Sequence, residues 1–219
     1  TFLTLENPIR WLFLTHAATG SLALLVLLIS LISKKGGKLH VKTGWIYTGA
    51  MIFVGISAFV ITPWRVFFDP TKTISSENSS IFLFYISVFT LSAISYGLTP
   101  LKAKHKKPSV DAYSHGPPIA TILIGLLVQI IGIKSQNALL MAFPFLDISL
   151  QITTSILAEK TNEIMHWWYA HMNGMFVACI ATITAFLVTA APRIWPDSIV
   201  DSTVLWIAPG VILGTILNR

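Results

Sequence analysis

The sequence predicts an all-α, polytopic membrane protein, a bundle of about seven transmembrane helices. Three observations predict it. Of 219 residues, 54% are hydrophobic and only 11% charged, less than half of the ~25% charged share of a soluble domain. The apolar residues fall in runs that reach the ~18–20 residues needed to cross a bilayer core. The polar residues collect between those runs, as in "SKKGGKLHVK", "DPTKTISSENSS" and "LKAKHKKPSVDAYSHGPP". A surface with so few charges suits lipid and not water.

The first span is expected over 9–33 ("LALLVLLISLI") and ends at the lysine-glycine turn. The second covers 43–62 and stops at Pro63, where a ring without an N–H interrupts the helix ladder. The third covers 81–98 and closes at Thr99-Pro100. The fourth covers 118–133, and "KSQN" turns the chain into the fifth, 138–157, which carries Pro144 and Asp147. The sixth covers 164–190 and is closed by "APRIWPD". The seventh, 203–217, contains Pro209-Gly210; if it is re-entrant, six spans remain. No heptads, low-complexity tracts, long linkers or convincing internal repeat interrupt this pattern, so 1–219 reads as a single integral membrane domain. The chain begins at Thr1, and no cleavable signal peptide is expected, because the charged flank of the first apolar run follows it.

With seven spans, ten Lys and Arg residues fall on one side and five on the other. The positive-inside bias makes the richer side cytoplasmic and the N-terminus external. The net charge of +6 then needs no nucleic-acid partner, because lipid headgroups meet these side chains and no aromatic-interleaved basic groove accompanies them. The expected partners are the lipid bilayer and, in one reading, other subunits of a larger membrane complex. The lone Cys179 excludes an internal disulfide and a two-cysteine metal site, and reads as a small buried hydrophobe.

The informative residues are histidines. "HWWYAHMNGM" places His166 and His171 around three aromatics at the head of an apolar run. On a helix, residues three or four apart share a face. His16 therefore shares a face with Gly20, Ala23 and Leu27, His40 with Gly44, Tyr47 and Met51, and His171 with Gly174, Ala178 and Thr182. Small residues mark close helix approach, so these faces are expected to point inward. His40, His115, His166 and His171 gather near the cytoplasmic helix ends, His16 lies toward the opposite side, and His105 sits in the basic loop "KAKHKK".

Three chemistries compete. Imidazoles beside glycine could ligate a b-type haem or a transition metal, with His40, His171, His115 and His16 as cofactor candidates. His166 and His171, five apart and so about 140° apart around the helix, cannot both face one ion. A metal site would use His40 and His171, with Asp147 behind an imidazole as its orienting carboxylate. Alternatively, Asp147, with Gln151 one turn on, forms a catalytic or proton-carrying pair with His171 and Asn173, as in a zinc-dependent membrane hydrolase or a proton-coupled transporter. In the blandest reading, "WWY" is an interfacial aromatic belt and the histidines satisfy helix ends within a non-catalytic subunit or scaffold. No phosphate-binding glycine loop, Gly-x-Ser-x-Gly elbow or zincin motif occurs, so no catalytic residue is assigned.

The segment "THAATGSLALLVLLISLISKKGGKLHVKTGWIYTGAMIFVGISA" resembles a bacterial membrane-protein family, domain of unknown function 2306, with its histidine-led first helix and "KGG-LH-x-x-x-G" turn. "WWYAHMNGMFVACIATITAF" is similar to that family's C-terminal signature. The likeness covers the first two helices and the sixth, and the rest by hydropathy only. It picks out His16, Gly20, Gly36, Gly37, His40, Gly44, Asp147, His171 and Met175. Val41 departs from it, standing where many relatives have arginine. The resemblance implies a membrane topology and no activity. The histidines point to a haem or metal site near the cytoplasmic side serving membrane redox chemistry, and the first, second and sixth helices are expected to pack through Gly20, Gly44, Gly174 and Ala178.

Overall fold

The computed structural model describes residues 8–103, 112–145, 147, 165–194 and 202–217, with the side chains at 103, 112–118, 166, 191–193, 202–203, 213–214 and 216–217 outside the description. Among the described residues the chain is all-helical, without strands. Its elements are α1 (Pro8–Ile32), α2 (Lys38–Pro63) running into a π-helical turn (Trp64–Phe68), α3 (Ile74–Leu98) ending in a 3₁₀ turn (Thr99–Ala103), α4 (Ala112–Ser135), α5 (residues 138–145, with 147 also helical), α6 (His166–Ile194) and α7 (Ser202–Leu217). Four helical stretches are long and apolar enough to cross a membrane: Pro8–Ile32, Lys38–Phe68, Ile74–Lys102 and Trp167–Ala190. Ile119–Ser135 is apolar but shorter. The chain divides into two compact units, Thr1–Ser57 with Val177–Arg219, and Ala58–Phe176.

The first unit is built on the α1–α2 hairpin. Gly36 takes φ 74°, a left-handed conformation open to glycine at no steric cost, and the Gly37 N–H bonds Lys34 O at 2.9 Å. Lys35 folds its ammonium back onto the carbonyls of Ser30 (3.1 Å) and Leu31 (2.7 Å), capping the negative end of α1. Ala23, Val26 and Leu27 of α1 are buried, as are Tyr47, Ala50 and Met51 of α2. The part of α6 from Val177 onward buries Ala178, Cys179, Ala181, Thr182 and Thr184. The Tyr47 hydroxyl reaches Thr182 Oγ1 at 2.9 Å.

The second unit is organised around α3. Thr73 caps this helix in a reciprocal box with Ser76, so it starts at Ile74 and draws "ISSENSS" into helix, where the sequence reading began the span at 81. Before it, Asp69 accepts from the Thr71 N–H (2.9 Å) and hydroxyl (2.7 Å), and Lys72 donates to Val66 O at the end of the π turn. The Thr71 hydroxyl, more than any charge nearby, holds the Asp69 carboxyl below the usual carboxylate range. The α-helical part of the second helix ends at Pro63, as expected, and the chain runs on into a π turn that the Asp69 N–H closes on Trp64 O at 3.0 Å. α3 packs along α4. Edge-to-face aromatic pairs join Phe59 to Phe84 and Phe82 to Phe143.

The α4–α5 turn is tight. Gln136 takes φ 51°, Asn137 caps α5 through Leu140 N (3.1 Å), and a Cβ on Gly132 would lie 2.7 Å from the Leu140 carbonyl carbon. The backbones therefore meet where Gly132 lacks a side chain. α4 begins at Ala112, ahead of the expected 118.

Candidate functional site

In the first unit, two histidines clasp the two ends of one hairpin. The Ser57 hydroxyl donates to Val54 O (2.9 Å), so the His16 imidazole donates its Nδ1–H to Ser57 Oγ at 2.7 Å. At the other end, His40 Nδ1–H donates to the Ser30 carbonyl at 3.1 Å, and the Ser30 hydroxyl reaches Thr43 Oγ1 at 2.8 Å. His16 and Ser30 are fourteen residues apart on α1, so about 21 Å of helix separate the two clasps. His16 and His40 do not meet in one site. A Cβ on Gly20 would lie 3.8 Å from Val54 Cγ2. Gly44, expected at a helix contact, faces open space: a Cβ there meets nothing within 4 Å.

In the second unit, Gly174 of α6 presses against α3. A Cβ on Gly174 would lie 2.6 Å from Gly97 N and 2.7 Å from Ala93 O, and a Cβ on Gly97 would lie 3.0 Å from Met175 N. Here His171 Nδ1–H donates to the Gly97 carbonyl at 2.8 Å. The close approach of two glycines brings the imidazole within reach of a backbone acceptor on the neighbouring helix. Gly174, expected among the contacts of the first, second and sixth helices, meets α3, with Gly97 as its unforeseen counterpart.

Further along α3, Tyr85 is wholly buried and donates its hydroxyl to Asp147 Oδ2. Its ring lies over Gly125 of α4, where a Cβ would stand 3.3 Å from Tyr85 Oη and 3.4 Å from Pro144 Cβ. Asp147 is 6% exposed. The sequence reading paired this carboxylate with His171 or Asn173. The structure instead gives it Tyr85, twelve residues from Gly97 on α3, so about 18 Å of helix lie between the carboxylate's anchor and the imidazole's. Asn173 is exposed. Tyr85, Gly97, Gly125 and Ser57 were not singled out from sequence. Tyr85 gave a usable signal, a phenol within an apolar run; the glycines gave none without their neighbours.

His115 lies in the first turns of α4 and His166 begins α6, with both side chains outside the described residues, as are His105 and Gln151 altogether. Trp168 and Tyr169 pack edge to face at 5.2 Å at the head of α6. Cys179 is buried, as a small hydrophobe should be. Taken singly, neither unit brings two of its described imidazoles together at one site. The first holds His16 and His40 too far apart, and the second has His171 as its one imidazole with a described side chain, well separated from Asp147. Among the described residues no group of three or more His, Cys, Asp or Glu could hold a metal ion.

No family model, curated protein or solved structure matches the chain.

Proposed function

We propose that this chain is a multi-pass membrane protein that works by protonation of an intramembrane carboxylate, Asp147, in proton-coupled transport. The observation that carries the reading is the Tyr85–Asp147 hydrogen bond, buried between α3, α4 and α5. A carboxylate inside apolar helices costs about 3 kcal/mol on insertion scales when charged, and such residues tend to be kept for the chemistry they perform. Pro144, three residues earlier, is also buried, and it removes one backbone N–H from the α5 ladder, the kind of interruption that ion sites in transporters are built on. In this reading all seven helices span the inner membrane, the N-terminus is external, and the chain is a relative of the family of domain of unknown function 2306.

The test is infrared difference spectroscopy between acid and alkaline pH, on protein labelled at aspartate, paired with proton flux in liposomes under an imposed potential. A carboxylic C=O band that appears on acidification and is missing from Asp147→Asn, with flux lost in the same variant, is expected. No titrating band and no flux above protein-free liposomes would refute the proposal and favour a non-catalytic subunit of a larger complex.

The haem-or-metal reading of His16, His40 and His171 has one observation on its side. All three donate from Nδ1, the tautomer that puts the ring lone pair on Nε2, as in a ligating histidine. An oxidised and dithionite-reduced absorption spectrum of the purified protein decides whether a haem is held.

A further inference from the structure

We propose that the outer face of α2 binds one anionic phospholipid, with Lys38 and Lys42 on its phosphate and its acyl chain lying over Gly49. Residues 38, 42, 45, 49, 52 and 56 fall within about 40° of one line along a 3.6-residue helix. In this chain they are Lys38, Lys42, Trp45, Gly49, Ile52 and Ile56, and every one of them is exposed. The stripe therefore runs from two cations through an indole and a notch to two branched aliphatics, in the order in which a phospholipid presents headgroup, ester region and chain.

At Gly49 the stripe lacks a side chain, and a Cβ built there would meet no atom within 4 Å. From residue 42 to residue 56 the helix rises about 21 Å, on the scale of one leaflet's acyl chain. The placement at the bilayer surface follows from length. The apolar stretch Lys38–Phe68 has 31 residues, about 46 Å, against a hydrocarbon core of about 30 Å. Its lysine end therefore projects into the headgroup layer, and Trp45, 63% exposed, sits two turns in, where tryptophans mark the interface.

Charge complementarity selects the headgroup. Lys34, Lys35, Lys38 and Lys42 lie within nine residues, and the chain has no acidic residue between Glu6 and Asp69. Lys35 is committed to the α1 carbonyls and Lys34 lies in the turn before α2, so Lys38 and Lys42 are the cations on this stripe. An anionic phosphate diester supplies the countercharge, where a zwitterionic headgroup offsets its own.

The experiment is native mass spectrometry of the full chain in detergent, titrated with phosphatidylglycerol or with phosphatidylcholine of the same acyl chains. Phosphatidylglycerol should bind more tightly, and K38Q/K42Q should weaken it roughly thirtyfold, at about a fivefold step per lysine near an anionic headgroup. Gly49→Leu fills the notch and keeps both charges. It should weaken both lipids together without altering the preference between them. Both variants lie on exposed positions, and unchanged circular dichroism verifies their fold. Equal binding of the two lipids by the wild type, an undiminished preference in K38Q/K42Q, an unaffected Gly49→Leu, or full displacement of the lipid by inorganic phosphate alone would each overturn the proposal.

Discussion

Replacing Gly174 by alanine tests the tightest helix crossing in the second unit. The new methyl would stand 2.6 Å from Gly97 N and 2.7 Å from both Ala93 O and Gly97 Cα. Carbon contacts settle near 3.5–4.0 Å, so the helices must part by most of an ångström. All three obstructing atoms are backbone, and no rotamer change can relieve the clash. Overpacking of this kind costs about 1–3 kcal/mol. The separation also stretches the His171–Gly97 hydrogen bond from 2.8 Å, and such interhelical bonds are worth about 0.6–1.7 kcal/mol in membranes.

Against these terms stands the helix-propensity gain of alanine over glycine, about 0.8–1.0 kcal/mol. The steric term wins, for a net loss of about 1–3 kcal/mol. Gly44→Ala is the matched control, because its Cβ meets nothing within 4 Å. Only the propensity term acts there, and the variant should be neutral or up to about 1 kcal/mol more stable. Thermal or denaturant unfolding in one detergent, followed by circular dichroism, reads both. If Gly174→Ala proves as stable as Gly44→Ala, the close crossing and the reasoning built on it are wrong.

Two further outcomes are expected. A double-mutant cycle of His16→Ala and Ser57→Ala should return a coupling of about 0.6 kcal/mol, with about 1.7 as its ceiling, since the imidazole and the hydroxyl bond each other directly; additive losses would remove the clasp. Asp69 lies outside the helices with its carboxyl held low chiefly by the Thr71 hydroxyl. A depressed folded value means that its contribution to loop order is complete above the ordinary carboxylate pKa of about 3.9 and lost as pH falls through the folded value. Thr71→Val should therefore move the Asp69 titration upward by NMR, and a titration unchanged by that variant would contradict the assigned cause.

How far the site could be read from sequence depended on the range of each interaction. His16, His40 and His171 were found because a histidine in an apolar run is costly wherever it lies, so its type and position are already informative. Their partners were harder to foresee. His40 and His171 bond backbone carbonyls, at Ser30 and Gly97, and every residue carries a carbonyl. Asp147 was marked by its charge, but its pairing with Tyr85 joins residues 62 positions apart. An imidazole on the adjacent span is the partner that chain order suggests, but proximity in the span order carries no information about which level of a helix is reached. The late start expected for α3 has a local cause: "ISSENSS" is polar enough to read as loop, yet Thr73 and Ser76 cap each other and draw it into helix.

The sequence by itself determined the helical class, the apolar runs and most of their ends, because length, hydropathy, glycine and proline act within a few residues. It also determined that the charges collect between the runs, since burying them in hydrocarbon costs more than any local preference returns. Tertiary structure alone decided that Gly174 meets Gly97 while Gly44 meets open space, and that Tyr85 crosses Gly125 to reach Asp147. Those outcomes depend on which helices pack and at what height, and a glycine records the presence of room without recording what fills it.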